Sequence, residues 1–261
     1  MTALILTALL QQLPTDEQAE SALKTFKAEY AKHGIEGRIA AIKELLKVPH
    51  EKTIHGLAEP LTADADPIRI AACKDLAEID HPASVEVLVA AIPANENRHE
   101  VMTALSAALG TLGWQSAAPP LHELVRKIAE ADIRQSLPQV VHALGQIGSP
   151  GSVEVLADLL LKLQGPRRNP WPNEGPILAA AEAALHAITG SSERKAQNWL
   201  DWWKSHQADL TAKAHRIYWS RKTHERTTVS AGDKTPEDSV LVATRLTDAP
   251  AAGEPKKKKK K

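Results

Sequence analysis

Four His-Glu dipeptides, His50-Glu51, His99-Glu100, His122-Glu123 and His224-Glu225, are the groups in this sequence best suited to hold a transition metal. Imidazole and carboxylate are both metal-ligating groups. Metal bonds require every donor to converge to within about 2 Å of one point. His50 and His122 fall in the second helices of the pairs described below, His224 lies beyond those pairs, and only His99 opens a first helix. With eleven histidines in the chain, dipeptides of this kind also arise by chance, and no dimetal site is expected. The single cysteine, Cys73, lies in an apolar helical stretch and is expected as a small core residue. No Gly-rich phosphate loop, nucleophile elbow or helical His pair at metal spacing is present, so no cofactor is expected.

Charge points to binding instead. Lysine plus arginine equal aspartate plus glutamate at 32 each, but six of the lysines are Lys256 to Lys261 at the end. Without those six, 26 basic residues stand against 32 acidic ones, so the rest of the chain is mildly acidic and implies no broad basic surface. The lysine run reads equally as a site for an anionic partner, such as nucleic acid, phospholipid or an acidic protein, and as a solubilising end. A second candidate contact is the segment Gly165 to Gly175, rich in proline and carrying Arg167, Arg168 and Trp171. It reads as a loop, with Trp171 either exposed to a partner or folded back on the chain.

The elements that must position these groups are helices in a repeating array. Ser84-Val85-Glu86-Val87-Leu88 recurs unchanged as Ser152-Val153-Glu154-Val155-Leu156, an offset of 68, or two periods of 34. A ruler of Leu-x-x-apolar pairs falls at Leu45/Val48, Leu76/Ile79, Leu109/Leu112, Leu144/Ile147 and Leu185/Ile188, at steps of 31, 33, 35 and 41. Small residues precede each ruler leucine, Ala40 and Ala41, Ala71 and Ala72, Ala104 and Ala107, Ala143, and Ala180 with Ala183, at spacings that set them on one helix face. Apolar stripes mark the second helices: Val85, Leu88, Val89 and Ile92; Leu121, Leu124, Val125 and Ile128; Val153, Leu156, Leu159 and Leu160. Turn residues such as Asp80-His81-Pro82 and Gly148-Ser149-Pro150-Gly151 separate the two helices of a pair. A single hairpin cannot bury its apolar face alone, so the units must stack.

Asp66-Pro67-Ile68-Arg69-Ile70-Ala71-Ala72, followed by Leu76 and Ile79, resembles the HEAT repeat, and best its bacterial subset, the PBS-lyase HEAT-like repeats. The resemblance spans roughly residues 37 to 207. It implies an all-α, right-handed solenoid of about five hairpins with capping helices at both ends, in which an Asp caps the first helix and an Arg follows. Asp66 and Arg69 match clearly only in the second repeat. The expected organisation is an apolar segment at 1–14, a capping helix at 15–36, the solenoid at 37–224 with an aromatic C-terminal cap, and a disordered tail at 225–261. That cap would use Trp199, Leu200, Trp202 and Trp203, then Leu210, Ile217, Tyr218 and Trp219. Thr2 to Leu10 reads either as the hydrophobic part of an export signal, placing the protein outside the cytoplasm or in the periplasm, or as a buried N-terminal helix of a cytoplasmic protein. No Lys or Arg precedes it and no small-x-small site follows.

Some families built on such repeats are enzymes. The His-Glu dipeptides are similar to those of deoxyhypusine hydroxylases, but they do not sit at matching positions of the first helices. Bacterial alkylpurine DNA glycosylases use a basic groove around an Asp and aromatic residues; Asp201 beside Trp202 is a loose counterpart, while Glu86, Glu154 and Asp158 would repel DNA. No residue supports the chemistry of the phycobilin lyases. The favoured reading is a non-catalytic scaffold or adaptor that holds a protein partner on its second-helix, concave face. Candidate contacts are Glu86, Arg126, Glu154, Asp158, Lys162 and Trp202, with Arg167, Arg168 and Trp171 from the loop. The competing reading is an anion or nucleic-acid binder acting through Lys256 to Lys261.

Overall fold

A computed structural model describes residues 13–127, 135–165, 174–191 and 196–246. The order is α1 (Asp16–Tyr30), α2 (Ile35–Leu46), α3 (Glu51–His55), α4 (Ala58–Ala63), α5 (Asp66–Leu76), α6 (Pro82–Asn95), α7 (His99–Leu112) and α8 (Ala118–Arg126). There follow α9 (Leu137–Ile147), α10 (Ser152–Gln164), α11 (Glu174–Thr189) and α12 (Ala196–Ala212), then β1 (His215–Ser220), β2 (Arg226–Val229) and β3 (Ser239–Arg245).

The helices form an all-α solenoid of two layers. First helices α2, α5, α7, α9 and α11 pack each on the next, while the second-helix layer runs α3 and α4, α6, α8, α10 and α12. The ruler leucines Leu45, Leu76, Leu109, Leu144 and Leu185 are all buried in one continuous core. The second-helix stripes face inward too: Val85, Leu88, Leu121, Leu124, Val153 and Leu156 are buried, and Ile128 lies outside the described residues. Small residues permit the close approach between first helices. A Cβ added at Gly110 of α7 would lie 3.0 Å from the Ala143 Cα, and one at Gly145 of α9 would lie 2.9 Å from the Ala184 Cα. In the fifth pair the residue in contact is Ala184, buried, rather than Ala183, which is exposed.

Gly113 and Gly148 end α7 and α9 in the left-handed conformation, at φ 67° and 66°, where glycine carries no steric penalty. The second helix of the first pair is broken into α3 and α4 around Gly56 and Leu57. His50 caps α3 and His81 caps α6, each through Nδ1 accepting a backbone N–H two residues on, at 3.1 Å.

The Asp-Arg pair of the second repeat divides its roles differently from the resemblance. Asp66 does not cap α5; its carboxylate reaches forward to Arg98 at the start of α7. Arg69 is the buried member. Its Nε donates to the Asp64 carbonyl at 2.6 Å and its Nη1 to Asn95 Oδ1 at 2.7 Å, while Asn95 Nδ2 donates to the Leu61 carbonyl at 3.0 Å. One arginine and one asparagine thus satisfy the backbone where α4, α5 and α6 meet.

The C-terminal part corrects the expected organisation. The stretch from Ile217 to Trp219, expected to extend a helical cap, is the middle strand of an antiparallel sheet ordered β2-β1-β3, and β2 and β3 form within the segment expected to be a disordered tail. The register between β1 and β3 shifts between Ile217 and Tyr218, leaving Val242 as the extra residue of β3, while Ile217, Tyr218 and Trp219 are all buried in the middle strand. In α12, Trp199 and Trp203 are buried and Trp202 is half-buried. Residues 247–261, with the lysine run, lie outside the described residues, as do residues 1–12 of the N-terminal segment.

The sheet closes the edge of the solenoid where first helices end. Arg226 of β2 forks onto Asp80, Nε to Oδ2 at 2.6 Å and Nη2 to Oδ1 at 2.7 Å, and also donates to the Leu112 carbonyl at the end of α7. Trp219 Nε1 donates to the Asp80 carbonyl at 3.1 Å, and Arg245 of β3 donates to the Ile147 carbonyl at the end of α9. Helix C-termini carry carbonyls without intrahelical donors and a partial negative charge, so cationic donors there are doubly favourable. Asp80 also accepts Trp114 Nε1 at 2.9 Å. Replacing it with Ala strips the acceptor from both Trp114 and Arg226. Urea unfolding should show Asp80→Ala losing about 2 kcal/mol, against less than about 1 kcal/mol for Arg98→Ala, which breaks an exposed pair.

Candidate functional site

Each second helix presses one flank on the first-helix layer and shows the other to solvent. That outer flank carries Glu86 on α6, Glu123 and Arg126 on α8, Glu154, Asp158 and Lys162 on α10, and the half-buried Trp202 on α12. Glu154, Asp158 and Lys162 lie four residues apart, so they line one stripe along α10. Across neighbouring repeats, Glu86 Oε2 comes 3.7 Å from His55 Nε2 of α3, and Lys127 after α8 pairs with Glu96 after α6 at 2.8 Å. Arg126 pairs with Glu123 one turn back. Trp202 stacks on His206 at 4.7 Å and meets Trp199 edge-on at 5.9 Å. The surface is acidic on balance, Glu86, Glu123, Glu154 and Asp158 against Arg126 and Lys162, and it runs over successive helices. Arg167, Arg168 and Trp171 lie outside the described residues.

The residues weighed for catalysis are scattered. His50 caps α3 and lies 3.1 Å from Asp16. His99 and Glu100 are exposed at the start of α7, and His122 Nε2 shares a hydrogen bond with Ser152 Oγ at 2.9 Å, joining α8 to α10. His224 sits in the turn after β1 at φ 56°. Among the described residues, no three His, Cys, Asp or Glu side chains gather so as to hold a metal ion. Asp201 is exposed and accepts Gln197 Nε2 at 3.2 Å. Cys73 is buried, and burial pushes its thiol up to about 12.

One cluster escapes reading from the sequence. The Trp219 indole is surrounded by His81 edge-on at 5.1 Å, His224 at 4.7 Å and Trp114 at 6.0 Å, with the two imidazoles 5.4 Å apart. Nothing in the spacing of residues 81, 114, 219 and 224 announces this meeting, because the return of the sheet creates it. The only local hint is His81 before Pro82, which marks a helix cap. Burial holds His81 well below the ordinary imidazole range, at about 4, and nearby His224 pushes the same way while Glu51 opposes. Burial also lowers His224 and His122.

Both imidazoles beside Trp219 are therefore neutral in the docked state. The contribution of His81 to stability is whole above about pH 6.5, the unfolded value, and is lost as pH falls from there toward 4, and His224 acts in the same direction. Thermal unfolding should move to lower temperature between pH 7 and pH 5. His81→Asn, which keeps a capping acceptor, should flatten that dependence; an unchanged slope would show that His81 does not govern it.

Residues 54–139 match the family model for HEAT repeats, from the end of α3 into α9. No curated protein matches the chain. Among the described residues, no helix is long and apolar enough to cross a membrane.

Proposed function

We propose that this HEAT-repeat protein works as a scaffold or adaptor, holding a protein partner along the outer flank of its second helices. The carrying observation is the row of exposed side chains on consecutive second helices, Glu86, Glu123, Arg126, Glu154, Asp158 and Lys162, set on elements whose other flank is locked in the core. HEAT repeats are typically non-catalytic and commonly bind proteins, which supports this reading without naming the partner. A stacked array fixes the spacing between such residues, so a partner meets a preorganised surface and few side chains need ordering on binding.

The acidic balance favours a partner with lysine or arginine at the contact, since complementary charge steers association and like charge rejects wrong partners. Trp202, half-buried on α12, offers an amphipathic anchor at one end of the row. Arg167, Arg168 and Trp171 extend the proposal to the segment between α10 and α11.

The test compares affinity capture by the full chain and by the Glu154→Lys, Asp158→Lys double variant, with the captured proteins quantified over a salt series. At least tenfold lower retention of the same polypeptides by the variant is expected. Equal retention would remove the second-helix face from the reading. Retention lost instead on deleting Lys256 to Lys261, falling steeply with salt, would favour the anionic-partner reading.

A further inference from the structure

First helices α7, α9 and α11 follow a rule that α2 does not; in α5 the position before the ruler leucine is the half-buried Asp75. The glycine after one ruler leucine packs on the small residue before the next, Gly110 on Ala143 and Gly145 on Ala184. The residue before the ruler leucine is buried in α7, α9 and α11, as Ala108, Ala143 and Ala184. In α2 the same position is Glu44, and it is exposed, as is Ala40 on the same side. Among the described residues, no first helix packs on the flank of α2 that would receive one.

That flank borders a groove of about 870 Å³ between α1 and α2. Ala22 and Phe26 from α1 and Ala40, Ala41 and Leu45 from α2 form much of its lining, and Pro14 stands at one end. Because α1 packs on both α2 and α3, it holds the place of a second helix in a hairpin preceding α2. It also begins as second helices do, after a turn containing proline, with Thr15 and Gln18 closing a capping box. Among the described residues, that hairpin has no first helix.

We propose that residues 2–10 of this same chain fill the groove as that first helix. The segment Thr2-Ala3-Leu4-Ile5-Leu6-Thr7-Ala8-Leu9-Leu10 is apolar and joins α1 through Gln11 to Pro14, at the end of the groove itself. Nine helical residues span about 14 Å and the fifteen of α1 about 22 Å, so the segment fits beside α1. Its tether holds it at a local concentration on the order of millimolar, well above what a free peptide would reach. The small groove residues Ala22, Ala40 and Ala41 suit the same close approach seen between later first helices. Docked there, the segment turns α1 into half of a complete hairpin and covers the open end of the core.

The test uses Ala40→Cys in the full chain, with a charged maleimide as the probe. Background labelling is low, because Cys73 is buried and its thiol is pushed up to about 12. Labelling is expected to be at least tenfold slower than in the same variant lacking residues 2–12. Ile5→Asp in the full chain should restore the fast rate without removing any residue, which keeps the test valid if the truncated chain folds poorly. Equal rates in all three forms would overturn the proposal. Protection that appears only as protein concentration rises would also overturn it, by placing a second copy in the groove.

Discussion

The structure depends on how closely each first helix approaches the next. At Gly110 against Ala143 and Gly145 against Ala184, backbone meets backbone with almost no side chain between. That approach brings Leu109, Leu144 and Leu185 into one buried layer, which second helices seal from the other side. A helix of ordinary bulk at those points would hold the pairs apart, and the leucines of neighbouring repeats would lose their packing partners. Where α4, α5 and α6 meet, Arg69 and Asn95 fasten backbone that no regular hydrogen bond reaches.

The sheet has a different task. Stacking leaves the carbonyls at the ends of α7 and α9 pointing out of the array. The sheet returns along that edge to meet them, with Arg226 over Leu112, Arg245 over Ile147 and Trp219 over Asp80. One edge is thereby closed, and the histidines beside Trp219 make the closure favour neutral pH. Among the described residues, the outer flank of the second helices is exposed and a groove lies between α1 and α2. Both follow from the packing: the first is the flank that the core does not use, and the second borders α2, on which no earlier first helix packs among the described residues.

Much of this is legible in the residues because repetition is a local signal. The recurring Ser-Val-Glu-Val-Leu and the evenly stepped leucines mark helix faces without knowledge of the fold, and the outward position of Glu86, Glu154 and Asp158 follows from the same phase. The sheet is harder. Val240, Leu241 and Val242 have the β-branched character of a strand, but β2 is the four residues Arg226 to Val229, mostly polar, and neither could be told from a tail without a surface to dock on. Trp219 reads as helical capping because Trp199, Trp202 and Trp203 precede it at helical spacing, and its burial within a strand comes from its place in the middle strand against Asp80 and Trp114. The pairing of Asp80 with Arg226 spans 146 residues, beyond any local pattern. Asp66 matches the family's capping residue, yet in three dimensions it pairs with Arg98.

The close approach has a measurable sign. In an ordinary helix, Gly145→Ala would stabilise by roughly 1 kcal/mol, because alanine loses less conformational freedom. Here the added Cβ would stand 2.9 Å from the Ala184 Cα, so the helices must part, and the unfolding free energy should fall by about 1 to 3 kcal/mol. Urea unfolding of Gly145→Ala, alone and combined with Ala184→Gly, is the direct measurement. Loss of stability in the single variant, partly recovered in the double, is the predicted result. A single variant more stable than the parent would contradict the account.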